Sequence, residues 1–296
     1  MYSLTRRIVA SCLILSTIVF ADAGTISRVE AAEITAETNA RNRMNYAGRQ
    51  RMLTQQIARN ACFVMAGVDP ERFAGKTETN VRQFSSVILG LRNGDPKLGI
   101  LPETNQDVLA ALSDVDELWN SLGPAARQIS AGDFHSIPMR QLISLNTETL
   151  TRMHATVKIM EGLYQDERVS ADLLATISLA GRQRMLTQKV SKEVCFKTIG
   201  LRNVGAAEKV DATIADFDAA MAKLLAGSEE GGILAPPNRQ IKRQLTRADK
   251  AWGDFKELVR HVRDEPDVDH GTRVKLANMS DQVLREMDLA VTMYTQ

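Results

Sequence analysis

The chain has 296 residues, of which 44% are hydrophobic and 25% are charged, and its formal net charge is +1. This length and hydrophobic content suffice for one or two buried cores, and no segment has the composition of a disordered or low-complexity region. The near-neutral charge and the aromatic content of only 5% argue against a nucleic-acid-binding protein.

The N-terminal segment has the layout of a secretory signal peptide. Two arginines precede the apolar run Ile8–Phe20, and Ala21-Asp22-Ala23 has the A-x-A pattern of a cleavage site, with a later cut near Ala32 as an alternative. A membrane-spanning helix needs about 20 apolar residues, so cleavage is favoured over an uncleaved anchor. We therefore predict a signal peptide at residues 1–23 and a mature protein that is periplasmic or secreted.

The phrase AGRQRMLTQ occurs twice, at Ala47–Gln55 and at Ala180–Gln188. The same register relates further pairs, among them Cys62 with Cys195 and Trp119 with Trp252, and a slip of one residue extends it to Leu150 with Leu284 and Met153 with Met287. A register held this long indicates two tandem copies of one unit. We place copy one at residues 33–167 and copy two at residues 169–296.

Apolar residues recur with helical spacing along both copies, and no segment alternates with period two for long enough to predict a strand. The predicted helices are 33–67, 76–93, 104–131 and 137–167 in copy one, and 169–200, 206–227, 238–264 and 270–295 in copy two. Four amphipathic helices with short connections predict an up-and-down bundle, so the expected fold is all-α with two tandem four-helix bundles. No strong helix-breaking residue separates the copies, and the sequence therefore also allows a continuous helix to join them.

The repeated motif places arginine and glutamine on one helical stripe together with small and apolar residues. From Arg41 to Val68 there are five arginines and no acidic residue, so their counter-charges must come from another helix, another chain or a bound anion. Arginine suits a planar oxyanion because its donors grip two oxygens, and an adjacent glycine permits close approach. The candidate ligand-binding residues are Arg51, Arg184, Gly48, Gly181, Gln55 and Gln188.

Structural interpretations of the same residues stay open. Arg51 and Arg184 would alternatively form interhelical ion pairs with an acidic residue such as Asp114, Asp116 or Glu117. The glycines would then mark tight helix packing, and the glutamines would be buried and satisfied by backbone groups. A carboxylate paired with each arginine would favour docking of helices, whereas an unpaired arginine facing a small polar cavity would favour anion binding.

Cys62 and Cys195 are the two cysteines outside the predicted signal peptide. An oxidising compartment permits a bridge, but bridging needs Cα atoms within about 7 Å, and equivalent positions on separate bundles are usually farther apart. We therefore expect buried free thiols. No metal-binding, cofactor-binding or catalytic pattern is found, so we predict no enzyme activity, no cofactor and no metal site.

The motif resembles the signature of the N-terminal periplasmic domain of type IV pilus chemotaxis transducers, the PilJ family, and is similar to the input domains of nitrate/nitrite sensor kinases such as NarX. The resemblance covers nearly all of residues 35–296. It implies a four-helix bundle in which an arginine of the first helix binds nitrate where two such helices meet across a dimer. By position this arginine corresponds to Arg51 and to Arg184.

The resemblance implies an exported sensory protein that recognises a small anion, nitrate or nitrite. Sensors of this family continue through a membrane helix into signalling modules, and no such modules follow the second copy in this sequence. The chain is therefore expected to signal through contacts with a membrane receptor. The fused copies would build the site either within one chain or in a homodimer. The alternative is a ligand-free interaction protein that docks a membrane receptor or a pilus or chemotaxis component.

Overall fold

The computed structural model describes residues 34–165, 169–201 and 206–295, and the predicted signal peptide lies outside these ranges. The described residues form eight helices and no strand, which confirms the all-α prediction. None of these helices is both long and apolar enough to cross a membrane. The helices are α1 (Ala36–Met65), α2 (Pro70–Asn93), α3 (Gln106–Ser130), α4 (Ser136–Leu163), α5 (Ala171–Thr198), α6 (Ala207–Ala226), α7 (Arg239–Asp264) and α8 (His270–Thr295).

Local sequence signals set the helix ends. Five side chains that directly precede a helix accept a backbone N–H of its first turn, namely Thr35, Asn105, Ser170, Asn238 and Asp269. α2 begins at Pro70 instead of near residue 76, because proline at the first helical position has a preset φ and needs no hydrogen-bond acceptor. The other helix boundaries lie close to those predicted.

Each set of four helices packs as a bundle. α1 contacts α2 and α4, with α3 diagonally opposite, and α5 contacts α6 and α8 in the same way. Both cores contain the same stacked aromatic pair, Phe84 with Trp119 and Phe217 with Trp252, whose ring centroids are 3.9 and 3.8 Å apart. The two copies therefore share one internal packing scheme.

The two bundles lie side by side along their motif helices. The most extensive contact between any two described helices joins α1 to α5, and most residues of both helices are buried. The continuous helix that the sequence allowed is wrong, because α4 ends at Leu163 and Ser170 caps a new helix that starts at Ala171. The break lets the second bundle fold back against the first.

A disulfide bond joins the motif helices. Cys62 on α1 is bonded to Cys195 on α5, and their Cα atoms are 6.2 Å apart. The expectation of free thiols is wrong because it assumed that equivalent positions lie far apart on separate bundles. The parallel packing of α1 and α5 instead places equivalent residues opposite each other.

A charge cluster around the buried carboxylate of Asp281 connects α1 and α2 to α8. Arg59 donates to Asp281 Oδ1 at 2.9 Å, and Arg72 and Lys76 donate to the other carboxylate oxygen. Burial favours protonation of Asp281, but Arg59 and Lys76 outweigh this effect and hold the pKa of the carboxyl below its usual value. Three cations thus converge on one carboxylate, and Arg59 is the fully buried one among them.

Replacing this carboxylate should be strongly destabilising. In Asp281→Asn the fully buried Arg59 loses its counter-ion, and we expect the free energy of unfolding to fall by about 3–5 kcal/mol at pH 7. Because the folded-state pKa is depressed, the difference between variant and wild type should shrink as pH falls below the unfolded value of about 3.9. Urea unfolding across pH measures both effects. The exposed control Asp254→Asn should change stability by less than about 0.5 kcal/mol, and an equally small effect at Asp281 would refute the cluster.

Removing the disulfide should also lower stability. We expect the double variant Cys62→Ala/Cys195→Ala to lose about 2–5 kcal/mol in guanidinium unfolding, because the bond closes a long loop in the unfolded chain. Reductant should produce a similar loss in the wild type and none in the variant. Peptide mapping that finds both residues as free thiols would contradict the bond.

Candidate functional site

The packing of α1 against α5 brings both motif glycines and both motif arginines together. A Cβ atom added to Gly48 would lie 3.4 Å from Arg51 Nη2 and 3.9 Å from Arg184 Nη2. A Cβ atom on Gly181 would lie 3.4 Å from Arg184 Nη2 and 3.7 Å from Arg51 Nη2. Both guanidinium groups therefore lie at contact distance over the two glycines, and each arginine is only 1% exposed.

Each arginine reaches across to the opposite copy. Arg51 Nη2 donates to the carbonyl oxygen of Ser178 at 3.1 Å, and Arg184 Nη2 donates to the side-chain oxygen of Asn45 at 3.0 Å. Asn45 and Ser178 occupy equivalent positions in the repeat. This exchange of contacts gives the pair of copies a pseudo-twofold relation within one chain.

The remaining terminal nitrogens have different partners. Arg184 Nη1 donates to Asp288 Oδ1 at 2.7 Å, whereas Arg51 Nη1 lies 3.3 Å from His154 Nδ1. With the one-residue slip that aligns the last helices of the copies, His154 and Asp288 are equivalent positions. Arg184 is therefore neutralised by a carboxylate, and no described carboxylate lies within ion-pair distance of Arg51.

Two of the three acidic partners proposed from the sequence pair with other arginines, and none of the three pairs with Arg51 or Arg184 in the described part of the chain. Asp114 pairs with Arg152, and Asp116 pairs with Arg92. The ion-pair interpretation thus holds for Arg184 alone, and with a different carboxylate. The amphipathic pattern of a single helix carries no information about which carboxylate a neighbouring helix will present.

Burial acts on both cations. It lowers the pKa of Arg51 to about 10; Glu161 opposes this effect, and the neighbouring Arg184 and Arg182 add to it. Burial also lowers the pKa of Arg184, although Asp288 opposes it. Of the two arginines, Arg51 is the one without a paired carboxylate among the described residues. Buried charges with perturbed pKa values are typical of functional sites.

A cavity of about 250 Å³ opens beside Arg51. Its charged and polar lining comes from four helices and includes Arg51, His154, Lys158, Glu161, Ser178, Arg182 and Lys223. Glu161 is paired with Lys158 at 2.5 Å, and Arg182 with Asp216 at 2.8 Å. The buried guanidinium of Arg51 and the exposed ammonium of Lys223 therefore leave the cavity with a positive balance.

The two motif glutamines do not line this cavity. Gln55 accepts a hydrogen bond from Lys192 at 2.6 Å, and Gln188 accepts one from Arg59 at 3.0 Å. They form a second polar layer, closer to the disulfide, in which each glutamine again serves the opposite copy. In the structure, the candidate ligand-binding set is thus divided between two layers.

Sequence reasoning did not single out His154, Lys158, Arg182 or Lys223 as cavity residues. A signal for His154 was present in the repeat, because the one-residue slip aligns it with an aspartate. Lys158, Arg182 and Lys223 carry no such signal, since their convergence depends on how α4, α5 and α6 meet.

Comparison with known proteins agrees with this architecture. The family described as Type IV pili methyl-accepting chemotaxis transducer N-term, PilJ, matches residues 36–143 and 173–274. The methyl-accepting chemotaxis protein McpN of Pseudomonas aeruginosa is 31% identical over 87 residues, which are 29% of this chain and 16% of that protein. These matches support a sensory role related to chemotaxis. The chain belongs to the PilJ family, whose domain it contains in two matched segments.

Proposed function

We propose that this protein is an exported, non-catalytic sensory module that binds one small oxyanion at Arg51, with nitrate and nitrite as the first candidates. The observation that carries the proposal is a fully buried arginine that has no paired carboxylate and borders a polar cavity. A buried cation without a counter-ion carries a desolvation cost of several kcal/mol, which a bound anion offsets.

The cavity suits a small anion by size and chemistry. Its volume of about 250 Å³ is enough for a small oxyanion together with water. The planar guanidinium of Arg51 matches two oxygens of a planar anion. Lys158, Arg182 and Lys223 add positive potential, of which paired acidic groups cancel part.

The contacts across the two copies suggest how binding is transmitted. Arg51 on α1 donates a hydrogen bond to Ser178 on α5. An anion that binds Arg51 would therefore alter the packing of the two motif helices. We infer that a membrane receptor, or a second copy of the chain, detects this change by protein contact in the periplasm or outside the cell. The division into a signal peptide and copies at 33–167 and 169–296 belongs to the same proposal.

Removing Arg51 should abolish ligand stabilisation. Nitrate or nitrite at 100 times its dissociation constant should stabilise the wild type by about 2.7 kcal/mol, a thermal shift of a few degrees at fixed ionic strength. We expect Arg51→Ala to lose this shift, while the control Arg152→Ala, on the surface of α4, keeps it. A nitrate shift that survives in Arg51→Ala would reject the site.

A ligand-free docking role is the second candidate, and the Arg184–Asp288 pair favours it. The stability of the anion-free protein separates the two. If Arg51 serves binding, Arg51→Met should raise the free energy of unfolding in chloride buffer, by about 1 kcal/mol or more, because an uncompensated buried charge is removed. If Arg51 serves docking alone, the same substitution should lower it, because the contacts with Ser178 and His154 are lost.

A further inference from the structure

The two motif arginines are held by acceptors of different chemistry. An ionised carboxylate only accepts hydrogen bonds, so Asp288 remains an acceptor for Arg184 Nη1 throughout the neutral pH range. A neutral imidazole nitrogen also accepts, but it becomes a donor when protonated. His154 can therefore change from a hydrogen-bond acceptor to a donor by taking up a proton. The equivalent residue of the other copy, Asp288, stays an acceptor while it is ionised.

We propose that His154 is a ligand-binding residue that takes up a proton when the anion binds. In the free protein, His154 Nδ1 accepts a hydrogen bond from Arg51 Nη1. In the complex, His154 Nδ1 and Arg51 Nη1 both donate hydrogen bonds to the same anion. The inference rests on the proposed function of the Arg51 site. It adds that one anion binds per chain, together with one proton, since the Arg184 half stays closed by Asp288.

The surroundings of His154 keep it neutral until an anion arrives. The charged groups that share its two adjoining cavities, on α1, α4, α5 and α6, are Arg51, Lys158, Glu161, Arg182, Lys189, Asp216 and Lys223. Partial burial lowers the pKa of His154, and Arg51, Lys158 and Arg182 lower it further, against the opposing effect of Glu161. The ring is partly exposed, so a proton can reach it from solvent.

The sign of the pH dependence follows from this arrangement. A bound anion adds negative charge beside the ring and raises the pKa of His154 in the complex. Between the free and bound pKa values binding takes up a proton, so affinity increases as pH falls, by at most about tenfold per pH unit for one proton. Because the pKa of the free state lies below the ordinary 6.5, affinity should level off only below that pH.

The test is calorimetric titration of the purified protein with sodium nitrate and with sodium nitrite, from pH 5 to pH 8.5 at constant ionic strength. We expect one anion per chain, an affinity that increases toward acidic pH, and a binding heat that depends on the ionisation enthalpy of the buffer. His154→Gln should bind with little pH dependence and without buffer-dependent heat. His154→Asp, which copies the arrangement at Arg184, should lose binding by about 100-fold or more.

Three results of these titrations would overturn proton uptake at His154. Wild-type affinity that is constant with pH would overturn the inference and leave the anion site standing. Proton-linked binding that persists unchanged in His154→Gln would assign the proton to another group and also overturn it. Absence of binding at every pH would overturn the site and the inference together. Asp254→Asn, an exposed change on α7 outside the cavity beside Arg51, should keep the wild-type pH profile, and far-ultraviolet circular dichroism checks that each variant folds.

Discussion

The parallel packing of α1 against α5 is the contact on which the site and the arrangement of the two bundles depend. It places equivalent residues opposite one another, which permits the Cys62–Cys195 bond and brings two arginines over two glycines. Two like charges buried side by side repel each other, and both also lose hydration. The covalent bond and the apolar contacts of α1 and α5 hold the helices together despite this cost.

Fusion of two copies into one chain lets equivalent positions take different roles. Where a symmetric dimer would have identical partners for both arginines, this chain has His154 on one side and Asp288 on the other. The polar layer nearer the disulfide shows the same division. Arg59 has a carboxylate partner, whereas its equivalent, Lys192, donates to the amide oxygens of Gln55 and Asn146. One half of each layer is thus neutralised by an ion pair, and the other half holds a cation that has no paired carboxylate among the described residues.

The sequence allowed the helices to be predicted well but not the way the bundles meet. Helix positions follow from apolar periodicity and capping residues, which are local properties. The pairing of α1 with α5 is not local, and polar residues on the shared stripe resembled a ligand-facing surface although much of that stripe is buried between the copies. The equivalent cysteines Cys62 and Cys195 were a sequence signal for the pairing of α1 with α5, because equivalent cysteines bond within one chain only when equivalent helices lie side by side. The cavity around Arg51 depends on α4, α5 and α6 converging, which no single-helix pattern specifies.

A crystal structure of the protein grown in sodium nitrate would show whether the two halves of the site differ in function. The expected result is one anion per chain, within hydrogen-bond distance of Arg51 Nη1 and His154 Nδ1, with Arg184 still paired to Asp288. An anion centred between the two arginines, in equal contact with both, would contradict the asymmetry. A cavity that holds only water at saturating nitrate would contradict nitrate binding at Arg51.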